Sequence, residues 1–360
     1  MNKDYDNKKL RELLIICKEN NIIYNKKSKK EIIKLIIDSE NNTNKSMQVE
    51  APLVEVTAES VRENGLDKFY TIPSIAEKCI NKLSEKYDWK SWDLVVEPSA
   101  GSGSFLLQLP IPMNKCIGID ISPEHNDIIK QDFLTYNPNT YIYPNTHTHL
   151  QINQQLNQQL NQQTQLKKIL VIGNPPFGKV SSLAVKFFNH SAEWASVIAF
   201  IIPKTFRRIS IQNKLNNQFH LIHDDDIPTH PCSFKPHMMV KCCFQIWEKK
   251  TNNRDIIELT TKHNDWEFLS FGPLDVKKQP TPPQGADFAV RAYGGKCGDI
   301  VKDNLKNLRP KSWHWIKANI SIPLLIERFS SLDYSLSKNT ARQNSIGRGE
   351  FVKLYSDTYN

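Results

Sequence analysis

VIGNPPFG, residues 171–178, sets an apolar run, an asparagine, two prolines and a phenylalanine in that order. Adjacent prolines remove two backbone donors and end any strand that runs into them. Val-Ile-Gly does not favour a helix. The strand therefore stops here, and Asn174 and Phe177 project from a stiff turn at its tip. The carboxyl end of a strand is where open α/β sheets keep their chemistry.

The surrounding pattern supports an α/β sheet. Leu94–Glu97, Cys116–Ile121, Ile169–Ile172 and Val197–Ile202 read as short apolar strands, and Lys241–Trp247 as a late strand on the far side of the sheet. Helical stretches lie between several of them, among them 74–86 and 181–194. Strands alternating with helices predict a mainly parallel sheet. Ser74 and Glu77 have the spacing of a capping box at the first of these helices.

Composition bounds the rest. The chain has 360 residues, a net charge of +9 and a pI near 9.0. A basic surplus suits a polyanionic partner such as nucleic acid, though charge alone is weak evidence. No apolar run approaches the ~20 residues of a membrane span, and the N-terminus MNKDYDNKKL has no apolar signal core. Seven scattered cysteines suggest a reduced compartment rather than a disulfide scaffold. We expect a soluble intracellular protein of cytoplasm or nucleus, or one encoded by a virus and made in its host.

Residues 1–45 form a candidate helical hairpin. Leu10, Leu13, Leu14 and Cys17 share one helix face, and Ser28 with Glu31 has the spacing of a capping box before Ile32, Ile33 and Leu35. Lys26, Lys27, Lys29 and Lys30 cluster at the connection. The pattern resembles a SAP domain, a short DNA-binding helical module, over about 35 residues. Residues 46–60 read as a linker. The Gln/Asn-rich stretch 148–165 reads as a solvated insertion without assigned function.

Four further motifs accompany NPPF: DKFYTIP (67–73), VVEPSAGSGSF (95–105), GIDIS (118–122) and QDF (131–133). Gly101 and Gly103 let backbone approach a ligand closely. An acid at the tip of the second strand, Asp120, is placed to hold ribose hydroxyls. Asp132 by itself is as well read as a turn cap. Each motif alone has a bland structural explanation, and Gly-x-Gly in particular is weak.

Taken together and in this order, the motifs resemble the class I S-adenosylmethionine-dependent methyltransferases, and more narrowly those that modify the N6 amine of adenine. The resemblance spans about residues 67–250. It implies a Rossmann-like class I methyltransferase sheet with helices on both faces over residues 61–250, beside the N-terminal hairpin and a C-terminal extension, 251–360, for substrate recognition. It implies S-adenosylmethionine as cofactor, held by Phe69, Thr71, Glu97, Pro98, Ala100, Gly101, Gly103, Asp120, Ile121, Asp132 and Phe133. It makes Asn174, Pro175, Pro176 and Phe177 the catalytic tetrapeptide. An adenine amine is a poor nucleophile because its lone pair is delocalised into the ring. The Asn174 side-chain oxygen and the Pro175 carbonyl would accept its hydrogens, and Phe177 would stack on the base.

The expected partner is nucleic acid, DNA ahead of RNA, with no membrane and no metal; protein partners are open. Arg291, Lys296, Lys311, Arg342, Arg348 and the stretch 345–350 are candidates for phosphate contact. Because Asn in the first motif position suits several planar amines, an RNA adenine methyltransferase, including one acting near an mRNA cap, and a protein-glutamine methyltransferase stay open. A nucleic-acid-binding protein with a retired methyltransferase fold is a fourth possibility. His230, Cys232, His237, Cys242 and Cys243 match no zinc spacing, so Cys242 and Cys243 are expected in the core. Asp224–Asp226 reads as a solvated acidic loop.

Overall fold

The computed structural model describes residues 13, 29–34, 62–63, 66–67, 69–138 and 168–359. The chain divides into two compact units, Met1–Glu55 and Val56–Asn360. In the first, residues 29–34 are helical; Ile32 and Ile33 are buried, and Lys29, Lys30, Glu31 and Lys34 face outward. The rest of the SAP-like hairpin apart from Leu13, the Ser28 capping box, the linker 46–60 and the insertion 148–165 lie outside the described residues.

The second unit begins with three two-residue strands, β1 (Arg62–Glu63), β2 (Leu66–Asp67) and β3 (Tyr70–Thr71), and helix α1 (Pro73–Ser84). Its main sheet is built from β4 (Leu94–Pro98), β5 (Cys116–Asp120), β6 (Ile128–Lys130), β7 (Ile169–Gly173), β8 (Val197–Pro203), β9 (Phe219–Asp226) and β11 (Cys242–Lys249). β10 (Phe234–Lys235) pairs instead with β3. Helices α2 (Ser182–Ala192) and α3 (Ile209–Gln212) fall before and after β8.

The sheet order is β6-β5-β4-β7-β8-β11-β9. All neighbours are parallel except β11, which runs against both β8 and β9. This is a Rossmann-like, mainly parallel sheet, covered by helices. The chain switches direction between β4 and β7, and the crevice above their carboxyl ends is where such sheets bind ligands.

The central strands are apolar on both faces because both faces are covered. Val95, Leu170, Ile172, Ala199 and Ile201 pack with Ile75, Cys79 and Leu83 of α1. Val96, Val171, Ile198 and Phe200 pack with Ala184, Phe187 and Phe188 of α2. The period-two alternation of these side chains fixes register, since a one-residue slip would exchange the two cores. Connections near the site are short. β4 reaches β5 through residues 99–115 with only single turns of 3-10 helix, and β5 reaches β6 through residues 121–127.

Three sequence expectations need correction. The Ser74–Glu77 box does not form. The cap residue of α1 is Ile72, with no side-chain hydrogen bond, and Pro73 occupies the first turn, where its missing N–H costs nothing. The second strand ends at Asp120, so Ile121 lies beyond it. Asp224–Asp226 is not a loop but the end of edge strand β9. Opposing cations hold it there: Arg207 bridges Asp224 (2.5 Å) and Asp226 (2.8 Å), and Lys204 bridges Asp226 (2.6 Å).

The C-terminal extension folds as a second antiparallel sheet. It comprises β12 (Trp266–Phe268), β13 (Phe288–Arg291), β14 (Ile300–Val301) and β15 (Trp313–Ala318), in the order β12-β15-β13-β14. Helices α4 (Ile322–Ser330) and α5 (Arg348–Tyr359) cover one face. The core between them is aromatic, with Trp266 at ring distances of 4.8–5.9 Å from Phe329, Phe351 and Tyr355.

Candidate active site

The first wall of the site is the loop after β4. Ser99 (φ +73°), Gly101 (φ +52°) and Gly103 (φ +82°) all take left-handed backbone conformations. The loop stays tied to β5, because the Ser99 and Ala100 amides both donate to the Ile119 carbonyl at 2.7 and 2.9 Å. Gly101 is required twice over. Its φ is strained for other residues, and a β-carbon there would lie 2.4 Å from the Tyr70 ring. Tyr70 itself is anchored by donating to Glu124 at 2.5 Å.

Glu97 sits beneath this loop, 2 % exposed, and its carboxylate accepts from the Leu106 amide at 2.7 Å. Burial pushes its carboxyl up to about 8, against the opposing pull of the Leu106 and Phe105 amides and with a small addition from Asp120. Pro98 closes β4, and Ala100 is buried in the α1-side core.

Asp120 ends β5. Its two oxygens accept from the Gly101 amide and the Ser122 amide, each at 2.8 Å, so one side chain locks the glycine loop to the turn after β5. A carboxylate has about four lone-pair sites, which leaves room for two ligand hydroxyls. Ile121 follows, 46 % exposed. Asp132 caps a 3-10 turn by accepting from the Leu134 amide at 2.9 Å. Phe133 is buried in an aromatic cluster with Phe187, His190 and Trp194.

The opposite wall is the tetrapeptide. Asn174 follows directly on β7. Its side-chain N–H donates to the Phe69 carbonyl at 3.0 Å, and its own carbonyl accepts from the Ser99 hydroxyl at 3.2 Å. The first bond decides which way the amide points, since only its nitrogen can donate to a carbonyl. The Asn174 Oδ1 is thereby left buried with no hydrogen-bond partner among the described residues. The neighbouring Thr71 Oγ1 is also buried without a partner. Phe177 packs against the α1-side core, and its carbonyl receives the Leu183 and Ala184 amides at the start of α2. Between them Gly178 (φ +67°), Val180 (φ +52°) and Ser181 (φ +60°) are left-handed. A β-branched residue in that region is a true outlier, and such strain gathers at ligand-handling turns.

Both walls border one cavity of about 990 Å³. Of the residues singled out from sequence, Phe69, Asp120, Ile121, Asp132, Phe133 and Asn174–Phe177 line it. Thr71, Glu97, Pro98, Ala100, Gly101 and Gly103 do not; they form the frame behind it. Sequence reasoning missed Ser99, Ser122, Lys179, Met238 and Val240, which also line it, and did not place Arg342 there. Ser99, Ser122 and Lys179 lie in or beside the quoted motifs and were passed over there, whereas Met238, Val240 and Arg342 are brought in by contacts between distant segments that leave no local signal. A shallower hollow of about 560 Å³ elsewhere is lined by Asn189, Asn213, Asn216 and neighbours. The side-chain amides of those three are already engaged with backbone: Asn189 donates to the Lys214 carbonyl, Asn213 donates to the Ile257 carbonyl, and Asn216 accepts from the Gln218 amide.

Other candidates from sequence are placed away from the cavity. Arg291 lies on the Trp313 ring at 4.7 Å, and Arg348 lies on Phe268 at 5.1 Å while donating to the Leu269 carbonyl. The stretch 345–350 runs into α5, with Ile346 buried. Cys242 and Cys243 are buried in β11. Among the described residues no group of three or more His, Cys, Asp or Glu is placed to hold a metal ion, and no helix is long and apolar enough to cross a membrane.

No family model and no curated protein matches the chain. Solved structures do resemble it. One is the 23S rRNA methyltransferase ErmE, at 14% identity and a TM-score of 0.33, covering 53% of this chain and 72% of that one. Another is PH1948 from Pyrococcus horikoshii, provisionally assigned as an RNA methyltransferase, at 15% identity and a TM-score of 0.27, covering 50% and 84%.

Proposed function

We propose that this protein transfers a methyl group from S-adenosylmethionine to the N6 amine of adenine, presented in DNA. The observation that carries this is the Asn174 Oδ1, buried, unpartnered and held in orientation at the cavity by the Phe69 carbonyl. A buried acceptor left unpaired costs about 1–3 kcal/mol. A ligand with an N–H to give would recover that cost.

The frame fits the cofactor. The glycine loop and Asp120 border a cavity large enough for a nucleoside-sized group and a base together. Asp120 would hold ribose hydroxyls, Ile121 would cover one face of the adenine, and Asp132 would take its amine. S-adenosylmethionine bound there supplies a methyl group on a positively charged sulfur. Asn174 Oδ1 and the Pro175 carbonyl accept the two hydrogens of the target amine and draw its lone pair out of the ring. Pro175 and Pro176 fix the turn so that these acceptors need no reorganisation. Phe177 stacks on the base. Asn174 does not titrate near neutrality, so the proton released from nitrogen leaves to solvent. Residues 251–360 serve substrate recognition, and residues 1–45 add a SAP-like contact to nucleic acid.

The test is label transfer from S-adenosylmethionine to duplex DNA, single-stranded DNA, capped RNA and a protein extract, with Asn174→Ala in parallel and products resolved by mass spectrometry. N6-methyladenine in DNA, lost in the variant, is expected. Label confined to RNA or to glutamine would keep the chemistry and reject the substrate. Transfer that survives Asn174→Ala would reject the mechanism.

A further inference from the structure

The C-terminal extension does not merely follow the main sheet; the loop before its last helix forms part of the cavity. Residues 338–345 are strapped to the main sheet by two cations. Lys241, which precedes β11, takes the Ala341 carbonyl with its amide at 2.9 Å. Its ammonium group donates to the Lys338 carbonyl at 3.0 Å and to Asn344 Oδ1 at 2.8 Å. Arg208 donates to the Asn339 carbonyl at 2.7 Å and to the Ser345 carbonyl, and pairs with buried Glu350 at 3.0 Å. With the strap in place, Ala341 and Arg342 line the cavity.

Charge is unevenly distributed around this junction. Lys204 and Arg207 are neutralised by Asp224 and Asp226, and Arg208 by Glu350. Lys241 bonds only neutral acceptors. Burial, helped by Lys204 and Arg208, lowers its tendency to hold a proton. The Arg342 side chain is exposed and, among the described residues, has no hydrogen bond or ion pair; the same is true of the side chain of Lys179, just beyond the tetrapeptide, whose backbone carbonyl accepts from the Ser182 amide. Among the described residues, the acids on the cavity wall are Asp120, at the end of β5, and Asp132, just after β6. The cavity thus has an acidic side at the glycine loop and a cationic side at the tetrapeptide and the strap.

We infer that Arg342, held by the Lys241–Arg208 strap and assisted by Lys179, binds the phosphates flanking the target base, so that the site selects a nucleotide within a polynucleotide over a side chain of a protein. This deepens the proposed function and rests on it. A guanidinium matches two phosphate oxygens at once. A glutamine side chain on a protein offers it nothing.

The experiment uses the full chain and a 20-nucleotide adenine-containing oligonucleotide as probe. Steady-state methylation and fluorescence anisotropy are each measured across a salt series for wild type, Arg342→Ala and Arg342→Lys. Arg342→Ala is expected to raise KM about tenfold with kcat held within about twofold, and to reduce the slope of log affinity against log salt by about one. Arg342→Lys is expected to restore the slope. Titration with S-adenosylmethionine reports whether the pocket is intact. An unchanged KM and salt slope, or a loss of cofactor affinity equal to the loss of oligonucleotide affinity, would overturn the inference. The anisotropy arm needs no turnover. If the wild type methylates only protein, the proposed function fails; unchanged oligonucleotide binding by Arg342→Ala would overturn the inference separately, whatever the turnover result.

Discussion

The two walls of the cavity treat their polar groups in opposite ways. At the glycine loop, Glu97 takes the Leu106 amide, Asp120 takes those of Gly101 and Ser122, and Asp132 takes that of Leu134. At the tetrapeptide, the Asn174 Oδ1 is buried with no hydrogen-bond partner among the described residues. The loop wall satisfies itself and keeps its shape alone. The tetrapeptide wall is stable only in the sense that β7 and the prolines hold it, and it is completed by what binds. Stability and chemistry are thus assigned to different sides of one crevice, and they can be separated by substitution.

The largest effect should come from the unsatisfied wall. Asn174→Ala should lower kcat by about 10²–10³-fold, the range seen when one preorganised polar group is removed from a reacting centre. The folding free energy should change by no more than about 1 kcal/mol, because the lost bond to Phe69 is offset by removal of an unpaired buried oxygen. Stopped turnover assays and denaturant titrations together would check this. A large loss of stability would show that the two walls do not differ as described.

Asp120→Ala should act on both properties at once. Loss of two charge-assisted bonds to a ligand corresponds to about 10²-fold in cofactor affinity. The Gly101 and Ser122 amides lose their acceptor, at about 1 kcal/mol. Calorimetric binding and thermal melts should therefore move together, unlike those of Asn174→Ala.

The smallest and most specific effect concerns Glu97. Its carboxyl is raised to about 8 in the folded chain, above its unfolded value. Between those two values the folded state binds a proton that the unfolded state does not, so stability falls as pH rises and levels off above about 8. Glu97→Gln keeps an acceptor for Leu106 and cannot ionise. It should flatten the decline between pH 5 and 8 and gain about 1–3 kcal/mol over wild type at pH 8. Denaturant titrations at several pH values would measure it. Parallel curves for the two proteins would mean that Glu97 is charged in the fold.

Much of the main sheet was legible in the sequence because its signals are local. Val95–Glu97, Ile169–Ile172 and Val197–Ile202 are short apolar runs ended by Pro, Gly or turn residues, and NPPF marks its own strand end. Of the C-terminal sheet only Asp287–Gly295 read as strand-like, and β13 falls within it; the other strands were not legible. The sheet's strands are two to six residues long, and its core draws one or two aromatics from each of several distant elements, which leaves little periodicity to see. Asp224–Asp226 misled because three acids look solvated until Arg207 and Lys204, from another segment, are set beside them. Within the site, the residues at strand tips were found and those delivered by tertiary contact were missed. Arg342 was noticed only as one basic residue among several.

The strap has a consequence for the order of events in biosynthesis. Phe69 and Arg342 border the same cavity but are separated by most of the chain, and reversed strand β11 must be inserted between β8 and β9 before Lys241 can receive the strap. Contacts this distant in sequence form late. A chain emerging from the ribosome at about 5–20 residues per second can assemble its glycine loop many seconds before it owns a complete substrate wall. On the proposed function, the cofactor's side of the crevice is ready first, and the grip on a polyanion comes later in synthesis.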